Sequence, residues 1–148
     1  MLAELIATLC AGLFAGAAVY ITLVEHPARL ECGTALAATE FGPSYRRATI
    51  LQASLAAVGL LAALAAWAQG AGLVVLFGGI LLGMVIPFTL IVILPTNKRL
   101  LDPALDKGSL EAAALLARWG RLHAVRSVAS AVAFGLLAWD LAVAAGAT

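Results

Sequence analysis

Charge is what this chain has least of. Only 11% of its 148 residues are Asp, Glu, Lys or Arg, while 64% are hydrophobic. A soluble domain carries roughly a quarter charged residues. With a mean hydropathy of +1.05, no water-facing surface can be built from this inventory. Acidic and basic residues nearly cancel, leaving a formal net charge of +1. The basic face that a nucleic-acid partner requires is therefore missing. Cysteine and histidine are equally scarce, two of each. Cys10 sits in a hydrophobic run and Cys32 in the loop that follows. A helical rise from residue 10 to 26 already spans about 24 Å, and a disulfide needs Cα atoms within about 7 Å. No bridge is expected. The first hydrophobic run also lacks the basic flank of a secretory signal, with Glu4 in its place, so it reads as a retained span. There is no internal repeat, which argues against a transporter built from inverted halves.

What the chain does have is length in its apolar runs. Leu5–Val24 and Ala71–Leu94 carry no charge. Ala48–Gln69 has only Thr49, Gln52, Ser54 and Gln69 as polar members, and His123–Ala145 contains Arg126 and Asp140 near its ends. About 20 apolar residues cross a hydrocarbon layer of ~30 Å, and open sheet edges cannot face lipid. The expected fold is all-α: an integral membrane four-helix bundle, one domain over 1–148. Its spans lie at about 5–26, 47–69, 71–95 and 120–145, with short amphipathic helices in the two longer loops. Phe41-Gly42-Pro43-Ser44-Tyr45 reads as a turn before the second span. Ser109 reads as the N-cap of a helix over Leu110–Leu122 that runs into the fourth.

All nine basic residues fall in those two loops or at their borders: Arg29, Arg46 and Arg47 in one, Lys98, Arg99, Lys107, Arg118, Arg121 and Arg126 in the other. The positive-inside rule assigns that side to the cytoplasm of a cell (inner) membrane and both termini to the opposite side.

Polar side chains within spans turn toward the bundle interior. Tracing steps of four and three gives one seam per helix. These are Gly12, Gly16, Val19, Leu23, His26; Tyr45, Thr49, Gln52, Ala56, Gly59; Gly79, Gly83, Ile86, Leu90, Ile93, Asn97; and Trp119, His123, Arg126, Ser130, Ala133, Leu137, Asp140. The third passes Pro87, expected to kink its helix. The polar ends of all four reach the same leaflet, so His26, Tyr45, Gln52, Asn97, His123 and Arg126 converge at the basic mouth of the bundle. Each has a plainer reading. Arg126 can snorkel to the interface. Trp119 and Tyr45 are interface-belt aromatics by type, Gln52 serves as interhelical glue, and His26 before Pro27 suits a helix end. Asp140 reads as an anchor at the far interface. The Gly-x-x-x-Gly pairs are packing devices, and such faces also suit a homo-oligomer.

Four segments carry a resemblance: Val24-Glu25-His26-Pro27-Ala28-Arg29, Phe41-x-x-Ser44-Tyr45-x-Arg47, Pro95-Thr96-Asn97-x-x-Leu100 and Trp119-x-x-x-His123-x-x-Arg126. In this order the chain resembles, over essentially its whole length, the anthrone oxygenase-like family of membrane proteins. Fungal members are linked to oxidation of polycyclic anthrones to anthraquinones. The resemblance implies an oxidoreductase acting on a hydrophobic small molecule within the lipid bilayer. His26 or His123 would be the base, with Arg126, Asn97 or Tyr45 stabilising an oxyanion. Trp119, Gln52, Thr49 and Arg29 would contact substrate. No cofactor is needed in this reading. A second reading places a divalent metal on Glu25, His26 and His123, a two-histidine, one-carboxylate set, although adjacent Glu25 and His26 point about 100° apart on a helix. A third is non-enzymatic: a module that binds a lipid, a quinone or a partner protein.

Overall fold

A computed structural model describes residues 1–146, and among them every regular element is helical. Four helices are long and apolar enough to cross a membrane: Leu2–Glu31, Thr34–Ala68, Leu73–Leu100 and Leu110–Ala144. The protein is an all-α four-helix bundle and a multi-pass membrane protein. Two spans are subdivided by local geometry. The first comprises α1 (Leu2–Tyr20), a π-helical turn (Ile21–Glu25) and α2 (His26–Glu31). The second is α3 (Thr34–Ala68), unbroken. The third comprises α4 (Leu73–Gly83), α5 (Val85–Phe88), a π-helical turn (Thr89–Ile93) and α6 (Leu94–Leu100). The fourth lies within α7 (Leu110–Gly146).

The connections follow turn chemistry. Gly33, with φ +92°, separates α2 from α3. At the other end, Gly70 adopts φ +100°. The Gly70 and Ala71 amides donate to the carbonyls of Trp67 and Ala66, closing α3 in the glycine-dependent pattern that satisfies terminal carbonyls. Ser109 caps α7 as expected, its Oγ accepting the Ala112 amide at 3.1 Å. Arg99 staples the loop between α6 and α7, pairing with Asp102 and Glu111, each at 2.7 Å. The Ala104 amide, then Arg99, hold the Asp102 carboxyl below its usual range.

Each span packs mainly on two neighbours, α1 on α3 and α7, and α4 on α3 and α7. Far from the basic loops the core is built of alanine: Ala7, Ala11, Ala18, Ala56, Ala63, Ala66 and Ala133, with Phe14, Leu82 and Leu137 as the larger pieces. In lipid, helices associate by close packing rather than by escape from water, and small residues allow it. A methyl group at Gly79 would collide with the side chain of Ala63. A second cluster fills the basic end, around Phe41, Ile93, Leu116 and Trp119.

Two expectations change, and a third, the kink expected from Pro87, is located. Phe41–Tyr45 is no turn: α3 runs straight through Pro43. Pro43 and Thr39, whose carbonyl it leaves without a donor, are both exposed, where water can satisfy that carbonyl. At 35 residues α3 is about 52 Å long, so it extends well past the hydrocarbon. The first-span seam is also displaced. Ala7, Ala11, Phe14, Ala18 and Ile21 face inward, whereas Gly16 and Leu23 are exposed. Gly12 meets the Phe134 ring rather than a backbone. Finally, the third span breaks one turn before Pro87, at Met84.

The π turns share a cause. Pro27 and Pro95 have no N–H for the preceding turn, and each helix widens just before its proline. His26 N–H reaches back five residues to Ile21 O, and Leu94 N–H to Thr89 O. The extra residue rotates everything that follows, which brings His26 to the inside although Leu23 is not.

Gly79→Ala is expected to lower stability by about 1–3 kcal/mol through overpacking against Ala63. Gly135→Ala, with open space around it, is expected to leave stability unchanged or slightly raised. Thermal unfolding of the two variants in the same detergent measures the contrast.

Candidate functional site

The basic end of the bundle gathers polar side chains from all four spans around one indole. Trp119, on the inner face of α7, packs against His123 one turn on, with ring centroids 4.7 Å apart. His26 lies against the same indole, with ring centroids 5.1 Å apart. Phe41 meets it edge-on at 5.3 Å, and the Arg29 guanidinium lies 5.8 Å from its centroid. His26 fits only because residue 120 is glycine: a Cβ there would fall 2.5 Å from its Nε2. Its Nδ1 is buried without a hydrogen-bond partner.

Arg29 clamps α2 onto α3. It is ion-paired with Glu25 one turn back and with Glu40 at 2.9 Å. Ser44 donates to Glu25 at 2.7 Å. Glu25 is therefore held in this clamp. Among the described residues, no group of three or more His, Cys, Asp and Glu is placed to hold a metal ion. Glu25, His26 and His123 do not form the ligand set considered above. Cys10 and Cys32 are both free.

His123 is 1% exposed and its Nδ1 lies 3.0 Å from Thr22 Oγ1. Thr22 in turn lies 2.7 Å from Ser127 Oγ. Ser127 has one proton, and a peptide carbonyl is a stronger acceptor than the Thr22 hydroxyl; of the two carbonyls in reach, Ala18 at 2.9 Å is nearer than His123 at 3.3 Å. With that proton on Ala18, Ser127 accepts from Thr22, and Thr22 accepts from His123 Nδ1–H. The imidazole lone pair then resides on Nε2.

Arg126 lies one turn deeper. From Arg126 to Ala144 the helix rises about 27 Å, so the guanidinium sits inside a ~30 Å layer, near its basic edge. Its Nη2 donates to Gln52 Oε1 at 2.8 Å, and it lies 5.4 Å from the Phe14 ring centroid. No carboxylate pairs with it among the described residues. Gln52 is 2% and Asn97 1% exposed. Gln52 Nε2, Asn97 Oδ1 and Arg126 Nε are all buried without partners.

Two cavities meet here. A closed chamber is lined by Arg29, Phe41, Ser44, Tyr45, Thr49, Gln52, Asn97, Trp119, His123 and Arg126, with Ile21 and Ala48. The centre of a water-sized sphere can move through about 20 Å³ of it, room for one water. A groove beside it gives the centre of the same sphere about 100 Å³. Tyr45, Thr49, Gln52 and Arg126 border both. The remaining groove walls are Phe14, Ala53, Ala56, Val85, Ile86, Thr89, Leu90 and Leu94.

Every site residue named from sequence except His26 and Glu25 lines the chamber; His26 touches it only through Trp119. Sequence reasoning missed Thr22, Ser127, Ser44, Glu40 and Phe41. Ser127 carried a signal, standing four residues after His123 on the same inward stripe.

The family model for anthrone oxygenase matches residues 41–136, well over half of the chain. The chain belongs to that family. The match takes in the α6 and α7 residues of the site and those of α3 from Phe41 on, and leaves Thr22, Glu25, His26, Arg29 and Glu40 outside it. No curated protein and no solved structure matches the chain.

Thr22→Val should leave the His123 Nδ1–H buried without an acceptor, at a cost of about 1–3 kcal/mol, and release the tautomer. Nitrogen NMR of histidine-labelled protein should show the Nδ1–H form of His123 in the parent and a mixture in the variant. An Nε2–H ring in the parent protein would contradict the hydrogen-bond directions given above.

Proposed function

We propose that this anthrone oxygenase family member is a membrane-embedded oxygenase that converts a hydrophobic, polycyclic anthrone-type ketone to the quinone. His123 is the base, and no metal or organic cofactor is required. The observation that carries the reading is the chamber. It brings an imidazole and a carboxylate-free guanidinium to one small space with unpartnered amide groups, inside a bundle otherwise made of alkyl side chains.

The chemistry asks little more. The ring carbon opposite an anthrone ketone carries acidic hydrogens, because the anion left behind spreads its charge onto the ketone oxygen. His123 Nε2 takes one proton, through the single water the chamber can hold, since the ring system itself lies outside so small a space. Arg126 favours the oxyanion that forms, assisted by the Tyr45 hydroxyl and the Asn97 amide. The electron-rich anion passes one electron to dioxygen, and the two radicals combine into a carbon–oxygen bond. The imidazolium returns its proton to the peroxide. Loss of water from the hydroperoxide leaves the second carbonyl. One ketone and one dioxygen become one quinone and one water. Trp119, braced by His26, Phe41 and Arg29, holds the His123 ring; His26 acts as a positioning residue.

The basic end is assigned to the cytoplasmic side of a cell membrane, supported by nine basic residues gathered there and none at the opposite end. The chain termini then face outward.

His123→Ala should reduce anthrone-dependent oxygen uptake by purified protein about 10²–10⁴-fold, and His26→Ala by much less. An undiminished rate in the double variant ends the histidine-base assignment. Alkaline phosphatase fused after Thr148 should be active and the same fusion within residues 103–108 inactive; the reverse pattern inverts the orientation.

A further inference from the structure

Beside the chamber runs the groove that shares Tyr45, Thr49, Gln52 and Arg126 with it. Its walls come from α3 and from the third span between Val85 and Leu94. Thr49, Ala53 and Leu90 on those walls are exposed, so it opens sideways through the face that acyl chains cover. The opening has a structural cause. Nearer the glycine turn the two helices touch at Gly79 and Ala63. The break at Met84 and the π turn at Thr89–Ile93 then lead the third span away from α3.

Two buried groups at the inner end of the groove lack partners, beside the Tyr45 and Thr49 hydroxyls. Gln52 Oε1 is already engaged by Arg126 Nη2, which turns the amide so that Nε2 is left without a partner. Arg126 Nε is likewise buried and unpartnered. Both free groups are donors. Arg126 also brings a positive charge that no carboxylate offsets among the described residues, and an uncompensated charge in an apolar site is costly. The missing piece is an acceptor oxygen, best an anionic one. Apart from the Tyr45, Thr49 and Thr89 hydroxyls the rest of the lining is apolar, and Ala53, Ile86 and Leu90 within it suit flat hydrocarbon.

The geometry points to this groove as a lateral portal that admits a flat aromatic ketone from the bilayer. Its ring edge lies toward α3 and the π turn, and its oxygen is clamped by the Gln52 and Arg126 donors. The substrate class rests on the oxygenase reading; the groove and its two donors do not. The clamp also distinguishes ionisation states: an enolate or phenolate gains the charge of Arg126, and a hydrocarbon of the same shape gains nothing.

The test separates binding from turnover. Immobilised protein binds tritiated anthraquinone in a scintillation proximity assay, with unlabelled anthracene and oleate as competitors. Ala53→Trp, on the lipid-facing wall, should weaken binding at least about tenfold, and Arg126→Gln by a similar factor. Val128→Trp, on a lipid-exposed face away from the groove, should bind as the parent does. On the unaltered protein, anthracene should compete at least about tenfold less well than anthraquinone. Equal competition by anthracene removes the oxygen clamp. Oleate competing as well as anthraquinone makes the groove a lipid site and overturns the assignment, as does unchanged binding in Ala53→Trp. Binding lost in Ala53→Trp while no protein consumes oxygen supports the portal and sinks the oxygenase reading. Oxygen uptake retained in full by Ala53→Trp does the opposite.

Discussion

A positive charge inside the membrane, answered only by neutral groups, organises this protein. Arg126 lies within the hydrocarbon depth, hydrogen-bonded to Gln52 and facing Phe14. Ionisable residues at such depth are expensive and persist where they serve a site. The cost is spread over several neighbours. Gln52 gives up its carbonyl oxygen, the Phe14 ring offers its negative face, and the chamber gives access to a water-sized guest. What remains unbalanced is the positive charge itself, and that surplus makes the site receptive to an oxyanion.

The surrounding fold is arranged to keep that end open while the other end is shut. Alanine and glycine close the far half, where backbones approach within a methyl group of collision. The basic half instead carries aromatic and cationic bulk, and its two proline-linked π turns change the direction of the first and third spans. Near Pro27 the widened turn delivers His26 onto Trp119. Ahead of Pro95 it helps separate the third span from α3. The same backbone device thus builds the packing behind His123 on one side and the side opening on the other. Trp119 is the joint: two imidazoles, a phenyl ring and a guanidinium all rest on it, so the His123 ring is held by stacking as much as by hydrogen bonds.

Legibility in the sequence followed helix regularity. The α7 stripe was traceable from Trp119 to Leu137 because that helix is unbroken, and a 3.6-residue period carries phase faithfully along it. Gln52, Ala56 and Gly59 followed for the same reason on α3. The first span failed as a seam because glycines were taken to mark the inner face, while alanines occupy it. A π turn then rotated His26 relative to everything before it. The Phe41–Tyr45 segment was misread because proline next to glycine usually ends a helix. Here the position lies beyond the hydrocarbon, where a carbonyl without its donor is cheap. The Thr22–Ser127 link joins side chains 105 positions apart, and no local pattern announces such a pair.

By itself the sequence determined that this chain lives in a bilayer, crosses it four times as helices, and collects its basic and chemically capable residues at one end. Those properties follow from run length, hydropathy and charge placement, which are additive along a chain. Tertiary structure alone decided the division of labour within that end: His123 on the chamber with His26 behind the indole, Glu25 taken by Arg29, and Gln52 turned so that its donor is free. These depend on which side chain reaches which partner first in a crowded, water-poor space, and that competition is settled by packing across helices.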